Sequence, residues 1–219
     1  MVYWATGEDD MEPQRATAIM SELARLYPEA KPELEAANPF EVLVATILSA
    51  QCTDRQVNKV TPALFERAPT PEAMLTLTQD ELEGYVKSCG VYRNKAKNIL
   101  ATCSVLVERY GGQVPGDLEA MQALPGVGRK TANVVLANAF GGDAIAVDTH
   151  VFRVSNRLGL SQAKNVVQTE EQLMEILPKS TWSTAHHQIL WHGRRVCKAQ
   201  RPLCGQCTLN ALCAYPDKA

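Results

Sequence analysis

The chain has 219 residues, a formal net charge of −2 and 46% hydrophobic residues, which is ordinary for a soluble globular protein of one large domain or two small ones. No apolar run approaches the ~20 residues that a membrane span needs, and the acidic start, with Glu8, Asp9 and Asp10, is unlike a secretory signal or transit peptide. Seven cysteines are an odd number for a secreted disulfide framework, so we expect a cytoplasmic protein without a membrane partner.

The charge is distributed unevenly along the chain. Residues 1–41 hold nine acidic and three basic residues, so the remainder carries a net positive charge. The stretch from His186 to Cys204 has no acidic residue and contains four basic ones, Arg194, Arg195, Lys198 and Arg201. Such a stretch permits nucleic-acid binding, but it is also typical of a solvated surface, and charge alone leaves both interpretations open.

Apolar residues recur at helical spacing almost throughout, and no alternating strand pattern competes, which predicts an all-α fold. Asn38-Pro39-Phe40-Glu41 has the residues of a helix start and opens an apolar helix to about Gln51. A second helix follows from about Asp54, with Pro62 as a predicted kink. Two short helices are predicted to start at Thr70 and Thr78.

The second half of the chain continues this pattern. A longer helix is predicted over Asn94 to Arg109, stopped by Gly111-Gly112. A short helix over Asp117 to Ala123 and a longer one over Lys130 to Phe140 enclose a tight glycine turn. Further helices are predicted at 149–158, 168–177 and 182–196.

The most informative segment is the glycine turn, Leu124-Pro125-Gly126-Val127-Gly128-Arg129-Lys130-Thr131-Ala132. Two glycines bracket one apolar residue, and glycine allows tight turns and the close approach of another backbone. We expect free N–H groups on Val127, Gly128 and Arg129 at the helix start, where they would bind an anion such as a DNA phosphate. A Gly-x-Gly turn alone also occurs in ordinary helix–helix connections.

Lys130 and Asp148 are the candidate reactive residues. Lys130 lies in the first turn of its helix, where the helix dipole disfavours the charged ammonium form; an exposed surface lysine is the alternative. Asp148 directly precedes a helix and is a predicted N-cap. The helix from Lys130 to Phe140 advances about 16 Å. Because the connection up to Val147 spans as much as about 24 Å, it can return Asp148 to the neighbourhood of Lys130.

Four cysteines near the C-terminus, Cys197, Cys204, Cys207 and Cys213, have the spacing C-x₆-C-x₂-C-x₅-C. Four thiolates at such spacing can hold a 4Fe–4S cluster or a structural zinc ion, and the spacing does not distinguish them. A loop closed by these ligands would present Lys198 and Arg201 to a phosphate. The remaining cysteines are expected to be buried thiols: Cys52, Cys89 and Cys103.

The glycine turn, the segment from Val147 to Val151 and the four cysteines together resemble the bacterial endonuclease III family over about residues 12–216. The resemblance implies a DNA glycosylase that excises oxidised pyrimidines from duplex DNA and then, as an AP lyase, cleaves the strand by β-elimination. It makes Lys130 the nucleophile that forms a Schiff base, Asp148 the catalytic carboxylate, and the four cysteines the ligands of a 4Fe–4S cluster with a structural role.

The resemblance also implies partners and DNA contacts. The expected partner is duplex DNA with a damaged pyrimidine or an abasic site, bound by a monomer near the nucleoid. Gln51 would fill the gap left by a flipped-out base. The residues expected to contact DNA are Gln51, Val91, Gly126, Val127, Gly128, Arg129, His150, Lys198 and Arg201.

The fold implied by the resemblance has two helical domains with an active-site cleft between them. One is a six-helix barrel over residues 32–142 that contains the helix-hairpin-helix motif. The other combines residues 1–31 with 143–219 and carries the iron–sulfur cluster.

Two residues depart from the family pattern. Val91 stands where family members often have a leucine that wedges into DNA, and a smaller wedge intercalates less deeply. Cys52 stands where alanine is frequent. Val91 is expected to matter first for the range of damage that the protein accepts, whereas Cys52 has no functional explanation at this level.

Other functions are compatible with parts of this pattern. The related adenine glycosylase usually lacks a lysine at position 130, carries a glutamate near Ser49–Gln51 and has an extra C-terminal domain. This sequence has the lysine and neither of the other two features. A pyrimidine-dimer or mismatch-thymine glycosylase of the same family stays open. So does a non-catalytic DNA-binding module that uses the hairpin only for phosphate.

Overall fold

A computed structural model describes residues 11–141 and 144–218, and within these ranges the chain forms helices, turns and loops but no β-strand. The all-α prediction is confirmed for this part of the chain. The eleven α-helices found there are α1 Met11–Leu26, α2 Pro39–Ser49, α3 Asp54–Arg67, α4 Pro71–Met74, α5 Gln79–Val86, α6 Tyr92–Tyr110, α7 Leu118–Gln122, α8 Arg129–Ala139, α9 Thr149–Leu158, α10 Val166–Ile176 and α11 Trp182–Arg195. Short 3₁₀ helices occupy Lys179–Thr181, Cys204–Gln206 and Asn210–Leu212.

Two sequence features lie outside the described residues. They are the acidic residues Glu8 to Asp10 and the middle of the connection between α8 and Asp148, residues 142 and 143. Among the described helices, none combines the length and the apolarity needed to cross a bilayer.

The helix starts follow the predicted capping residues. The Asn38 side chain accepts a hydrogen bond from the Glu41 N–H at 3.0 Å, and Pro39 takes the first helical position of α2. Thr78 and Glu81 form a reciprocal capping box at the start of α5. Each of these contacts satisfies a backbone donor that the first helical turn leaves unpaired, which explains why local sequence fixes these starts.

Some helix ends differ from the sequence-based boundaries. Helix α2 ends at Ser49 rather than near Gln51, because Ala50 already leaves helical geometry with a ψ of 115°, and Gln51 follows in the left-handed region with a φ of 54°. Helix α6 begins at Tyr92, two residues before the predicted Asn94, directly after a left-handed Val91. Helix α3 continues through Pro62. At the other end of α6, the predicted glycine stop is confirmed by a hydrogen bond from the Gly112 N–H to the Leu106 carbonyl at 2.9 Å.

The chain divides into two compact units. The hairpin unit is Pro32–Gly142, and the terminal unit combines Met1–Lys31 with Asp143–Ala219. In the hairpin unit α2 packs against α3, α6 and α8 around a core that includes Leu43, Val44, Leu48, Val57, Ile99, Leu106, Ala132 and Val135. Each large aliphatic side chain buried there contributes about 1.5–3 kcal/mol relative to an exposed one.

The terminal unit has its own core. Helix α11 packs against α9 and α1, and the shared apolar side chains include Ile19, Leu23, Val151, Val154, Leu158, Ala185 and Ile189. The two helices that carry the candidate reactive residues are each anchored in one of these cores. In the hairpin unit α8 begins with Arg129 and Lys130, and in the terminal unit α9 begins directly after Asp148.

Candidate active site

The two glycines of the hairpin lie in different local environments. Gly126 has a φ of 74°, and a Cβ there would lie 2.6 Å from the Asn98 Nδ2 atom, so the fold itself requires glycine. Gly128 has a φ of −87°, and nothing lies within 4 Å of a Cβ built on it. The space in front of Gly128 is therefore open to a group from outside the chain.

The expectation of a free N–H on Val127 is wrong. The Val127 N–H donates to the Leu124 carbonyl at 3.1 Å, which closes the turn, and the residue is only 6% exposed. Val127 therefore supports the hairpin from the inside. Helix α8 begins at Arg129, which is half-buried, and its N-cap residue Gly128 has no side chain that could cap it.

Lys130 is the second residue of α8, so its predicted place in the first helical turn is confirmed, and its side chain is exposed. Helix α8 packs against α2, whose C-terminal end leads into Gln51. The hairpin unit thus carries the exposed amine and Gln51 on the ends of two packed helices.

Asp148 is the N-cap of α9, as predicted. Its Oδ1 atom accepts hydrogen bonds from the N–H groups of His150 and Val151, both at 2.8 Å, and the residue is half-buried. These two bonds hold the carboxylate in place at the start of the helix, where the helix dipole favours a negative charge. Lys130 and Asp148 belong to different units, and their approach stays a prediction.

Three non-glycine residues have a positive φ among the described residues: Gln51 at 54°, Val91 at 55° and Arg201 at 49°. All three are among the residues that we expect to contact DNA. Left-handed backbone is unfavourable for a residue with a Cβ, and it persists where the surrounding structure holds it. Gln51 and Arg201 are exposed, and Val91 is 52% exposed despite being apolar.

The loop after α11 is held by two arginines of α9. Arg153 donates to the Cys197 carbonyl at 3.0 Å, and Arg157 donates to the carbonyls of Lys198 at 2.7 Å and Ala199 at 3.1 Å. Arg153 also contacts the His150 Nδ1 atom at 3.1 Å, and His150 is half-buried. The helix that Asp148 caps therefore also fixes the loop that presents Lys198 and Arg201, both exposed.

The four C-terminal cysteines are free, half-buried and line one pocket together: Cys197, Cys204, Cys207 and Cys213. Burial raises the pKa of the Cys207 thiol, so a thiolate in this pocket requires a compensating positive charge. In the described part of the chain, no three His, Cys, Asp or Glu side chains are arranged to hold a single metal ion. A cluster takes one thiolate for each of several irons, and four convergent thiols with Arg157 nearby fit such a group.

A further functional candidate beside this pocket, His192, was not predicted from the sequence. It is buried, its Nδ1 atom lies 3.0 Å from the Tyr27 hydroxyl, and its Nε2 atom lies 3.6 Å from the Cys207 sulfur. Burial lowers the pKa of His192 to about 4, so the ring is neutral. No local motif points to His192, because Tyr27 lies 165 residues away in sequence.

The expectation that all three remaining cysteines are buried is wrong for Cys52, which is half-buried in the loop between α2 and α3, whereas Cys89 and Cys103 are buried. Cys52 hydrogen-bonds to Cys89, and the pKa of Cys89 is raised to about 11, first by burial and then by this bond. Cys52 thus belongs to a contact between two loops of the hairpin unit.

Comparison with known proteins identifies the class to which these features belong. The family model of the HhH-GPD superfamily base excision DNA repair protein matches residues 44–179, more than half of the chain. A solved thermostable thymine-DNA glycosylase has the same fold, with a TM-score of 0.84, but at 24% identity it shows the fold alone.

Relatives with higher sequence identity identify the family within this class. The chain is 51% identical to the endonuclease III of Synechocystis sp. over 91% of its length and 92% of that protein, and 47% identical to that of Escherichia coli K12 over 95% and 99%. A solved structure of a trapped endonuclease III–DNA covalent intermediate matches with a TM-score of 0.88 and 50% identity, covering 92% of this chain and 95% of that one. The chain belongs to the endonuclease III family and is a DNA glycosylase and AP lyase of base excision repair.

Proposed function

We propose that Lys130 is the covalent nucleophile of this enzyme and that it excises oxidised pyrimidines from duplex DNA. The observation that carries this proposal is the placement of an exposed lysine in the first turn of α8, directly behind a hairpin with open space at Gly128. A phosphate bound at that helix start would bring the sugar of the damaged nucleotide to the lysine. A related endonuclease III has been trapped as a covalent intermediate with DNA, which supports the same assignment.

The proposed reaction uses the two candidate residues in different roles. The Lys130 amine attacks the sugar C1′ atom as the bond to the base breaks, and the base leaves with a proton that the attacking nitrogen gives up. The Asp148 carboxylate stabilises the positive charge that develops on the sugar and assists proton transfer. Opening of the sugar gives a Schiff base between Lys130 and C1′. Loss of a C2′ proton then expels the 3′ phosphate, and water releases the lysine.

The remaining residues bind and position DNA in this proposal. Gly128 and the start of α8 receive a backbone phosphate, with Gly126 and Val127 shaping the turn. Lys198 and Arg201 reach a second phosphate, and His150 and Arg129 lie at the two helix starts. Gln51 occupies the gap left by the extruded base, and Val91 wedges beside it. The enzyme is proposed to act as a monomer.

The four C-terminal cysteines are proposed to hold a 4Fe–4S cluster. When bound, the cluster supplies a structural cross-link between the end of α11 and the C-terminal loop. The chain's own contribution is the clamp from Arg153 and Arg157, which fixes the carbonyls of residues 197–199.

Borohydride trapping on abasic-site duplex DNA tests the proposed chemistry. We expect wild type to give a covalent protein–DNA adduct and Lys130→Ala to give none, while the variant still binds abasic DNA. A wild-type protein that binds without any adduct would instead be a non-catalytic module. The exposed lysine Lys97 of α6 provides a matched control, because Lys97→Ala removes a lysine without touching the hairpin.

The substrate class is tested by base release from matched duplexes. Thymine glycol and dihydrouracil should be released much faster than uracil in a mismatch or a cyclobutane dimer. Preferential action on the mismatch or the dimer would reassign the substrate and leave the covalent mechanism intact.

A further inference from the structure

Lys95 is a buried lysine that the mechanism above does not use. It lies on α6, is 6% exposed, and its Nζ atom donates to the Leu48 carbonyl at 2.8 Å. Lysine is rarely buried unless a partner holds its charge, and burial lowers the pKa of Lys95. Because burying a charged amine costs free energy, we expect Lys95 to have a specific role.

The hydrogen-bond partner of Lys95 indicates which part of the structure the side chain stabilises. Leu48 is in the last turn of α2, where the final carbonyls lack helical N–H donors and attract positive charge. Three residues later the chain adopts the unfavourable left-handed conformation at Gln51. The ammonium group of Lys95 therefore fixes the end of α2 where the chain turns toward the proposed gap-filling residue.

The backbone of Lys95 reaches the other proposed DNA-contacting loop. Its N–H donates to the Val91 carbonyl at 3.2 Å, and Val91 is the left-handed residue before α6. The two loops also touch each other, since a Cβ on Gly90 would lie only 3.1 Å from the Gln51 carbonyl oxygen. We call residues 50–53 and 88–91 the paired loops. The Lys95 side chain bonds to the end of the helix that leads into the first loop, and it lies beside Cys52 and Cys89, one thiol from each loop.

Among the described residues, no carboxylate forms an ion pair with Lys95 that would explain its burial. The titratable groups beside it are the thiols of Cys52 and Cys89. Cys89 stays a neutral thiol at physiological pH, because burial and its bond to Cys52 raise its pKa to about 11. The hydrogen bond to the Leu48 carbonyl is thus the contact through which Lys95 acts.

We propose that Lys95 is a positioning residue for base extrusion, which holds the paired loops at the spacing that lets Gln51 and Val91 enter the DNA together. This inference rests on the DNA roles proposed above for Gln51 and Val91. It concerns residues in the hairpin unit alone.

The test replaces Lys95 with methionine, which keeps the unbranched stem and removes the donor. We expect Lys95→Met to slow release of a damaged base from duplex DNA by about tenfold, within the range that coupled neighbouring residues show. Trapping at a preformed abasic site, where no base must be extruded, should change much less. Lys97→Met, an exposed lysine on the same helix, should change neither reaction.

A double-mutant cycle separates positioning from a general structural effect. In a Gln51→Ala, Val91→Ala background, Lys95→Met should cause little further loss, because the residues through which it acts are gone. The proposal would be overturned if the losses in base-release rate caused by the two sets of substitutions multiply. It would also be overturned if Lys95→Met alone releases the base at the wild-type rate. If Gln51→Ala and Val91→Ala are themselves silent, the DNA roles assigned to these two residues fail before Lys95 is considered.

Two further variants keep the test decisive if Lys95→Met folds poorly. Lys95→Gln retains an N–H donor at shorter reach and should recover part of the base-release rate. Gly90→Ala leaves Lys95 intact but pushes a methyl group against the Gln51 carbonyl, and it should reproduce the selective loss of base release. Equal losses of base release and abasic-site trapping in both variants would contradict a positioning role.

Discussion

Asp148 combines two tasks that substitution can separate. Its Oδ1 atom caps α9 through two hydrogen bonds of 2.8 Å, and its charge is the part proposed to act in catalysis. Asparagine and aspartate are comparable N-caps, whereas alanine is not. The choice of replacement therefore distinguishes loss of charge from loss of the cap.

We expect Asp148→Asn to keep the thermal stability of wild type and to slow base release by about 10²–10⁴-fold, the usual contribution of a general acid–base group. Asp148→Ala should show the same kinetic loss and also lower the free energy of unfolding by about 0.5–2 kcal/mol. Single-turnover base release and thermal denaturation measure the two effects. An unimpaired rate in Asp148→Asn would remove the carboxylate from the reaction.

At the scale of single elements, the hairpin contains two glycines with opposite requirements. Gly126→Ala places a Cβ in left-handed backbone and against Asn98, so it should lower the free energy of unfolding by at least about 1 kcal/mol. Gly128→Ala meets no atom of the chain and should fold normally, but its methyl group would occupy the space proposed for a phosphate.

For Gly128→Ala we therefore expect DNA affinity to fall by about tenfold, or about 1.4 kcal/mol, with unchanged thermal stability. Binding to an abasic-site duplex and a thermal melt of the same preparation check this pair of values. Unaltered affinity in a folded Gly128→Ala protein would argue against a phosphate at the start of α8.

How far the sequence predicted the elements depends on the range of the contacts involved. Helix starts at Asn38, Thr78 and Asp148 were predicted because an N-cap bonds to residues two or three positions ahead. Val127 was misjudged because the glycine pattern does not reveal which N–H closes the turn. The hydrogen bond of Lys95 was missed because Leu48 lies 47 residues away, and no local spacing encodes that contact.

At the scale of the whole molecule, the four C-terminal cysteines line one pocket between the end of α11 and the last described segment of the chain, where they are proposed to hold a cluster. Cys204→Ser should abolish the visible absorption of an iron–sulfur cluster and reduce the iron content from four per chain. Cys52→Ser, a half-buried cysteine outside the set, should retain both. Stoichiometric zinc in the wild-type protein, measured by elemental analysis, would show that these cysteines hold a structural zinc ion and not a cluster.

The two units divide the proposed chemistry between them, because Lys130 belongs to the hairpin unit and Asp148 to the terminal unit. The length of the connection after α8 permits Asp148 to approach Lys130, and this approach stays a prediction. The central claim is therefore that a specific amine, Lys130, becomes joined to the DNA sugar.

Peptide mapping of the borohydride-reduced protein–DNA complex by mass spectrometry tests this claim most directly. After digestion of protein and DNA, we expect the sugar remnant on Lys130, within the segment that begins α8. A remnant on any other amine, in a preparation that still releases the base and cleaves the strand, would contradict it.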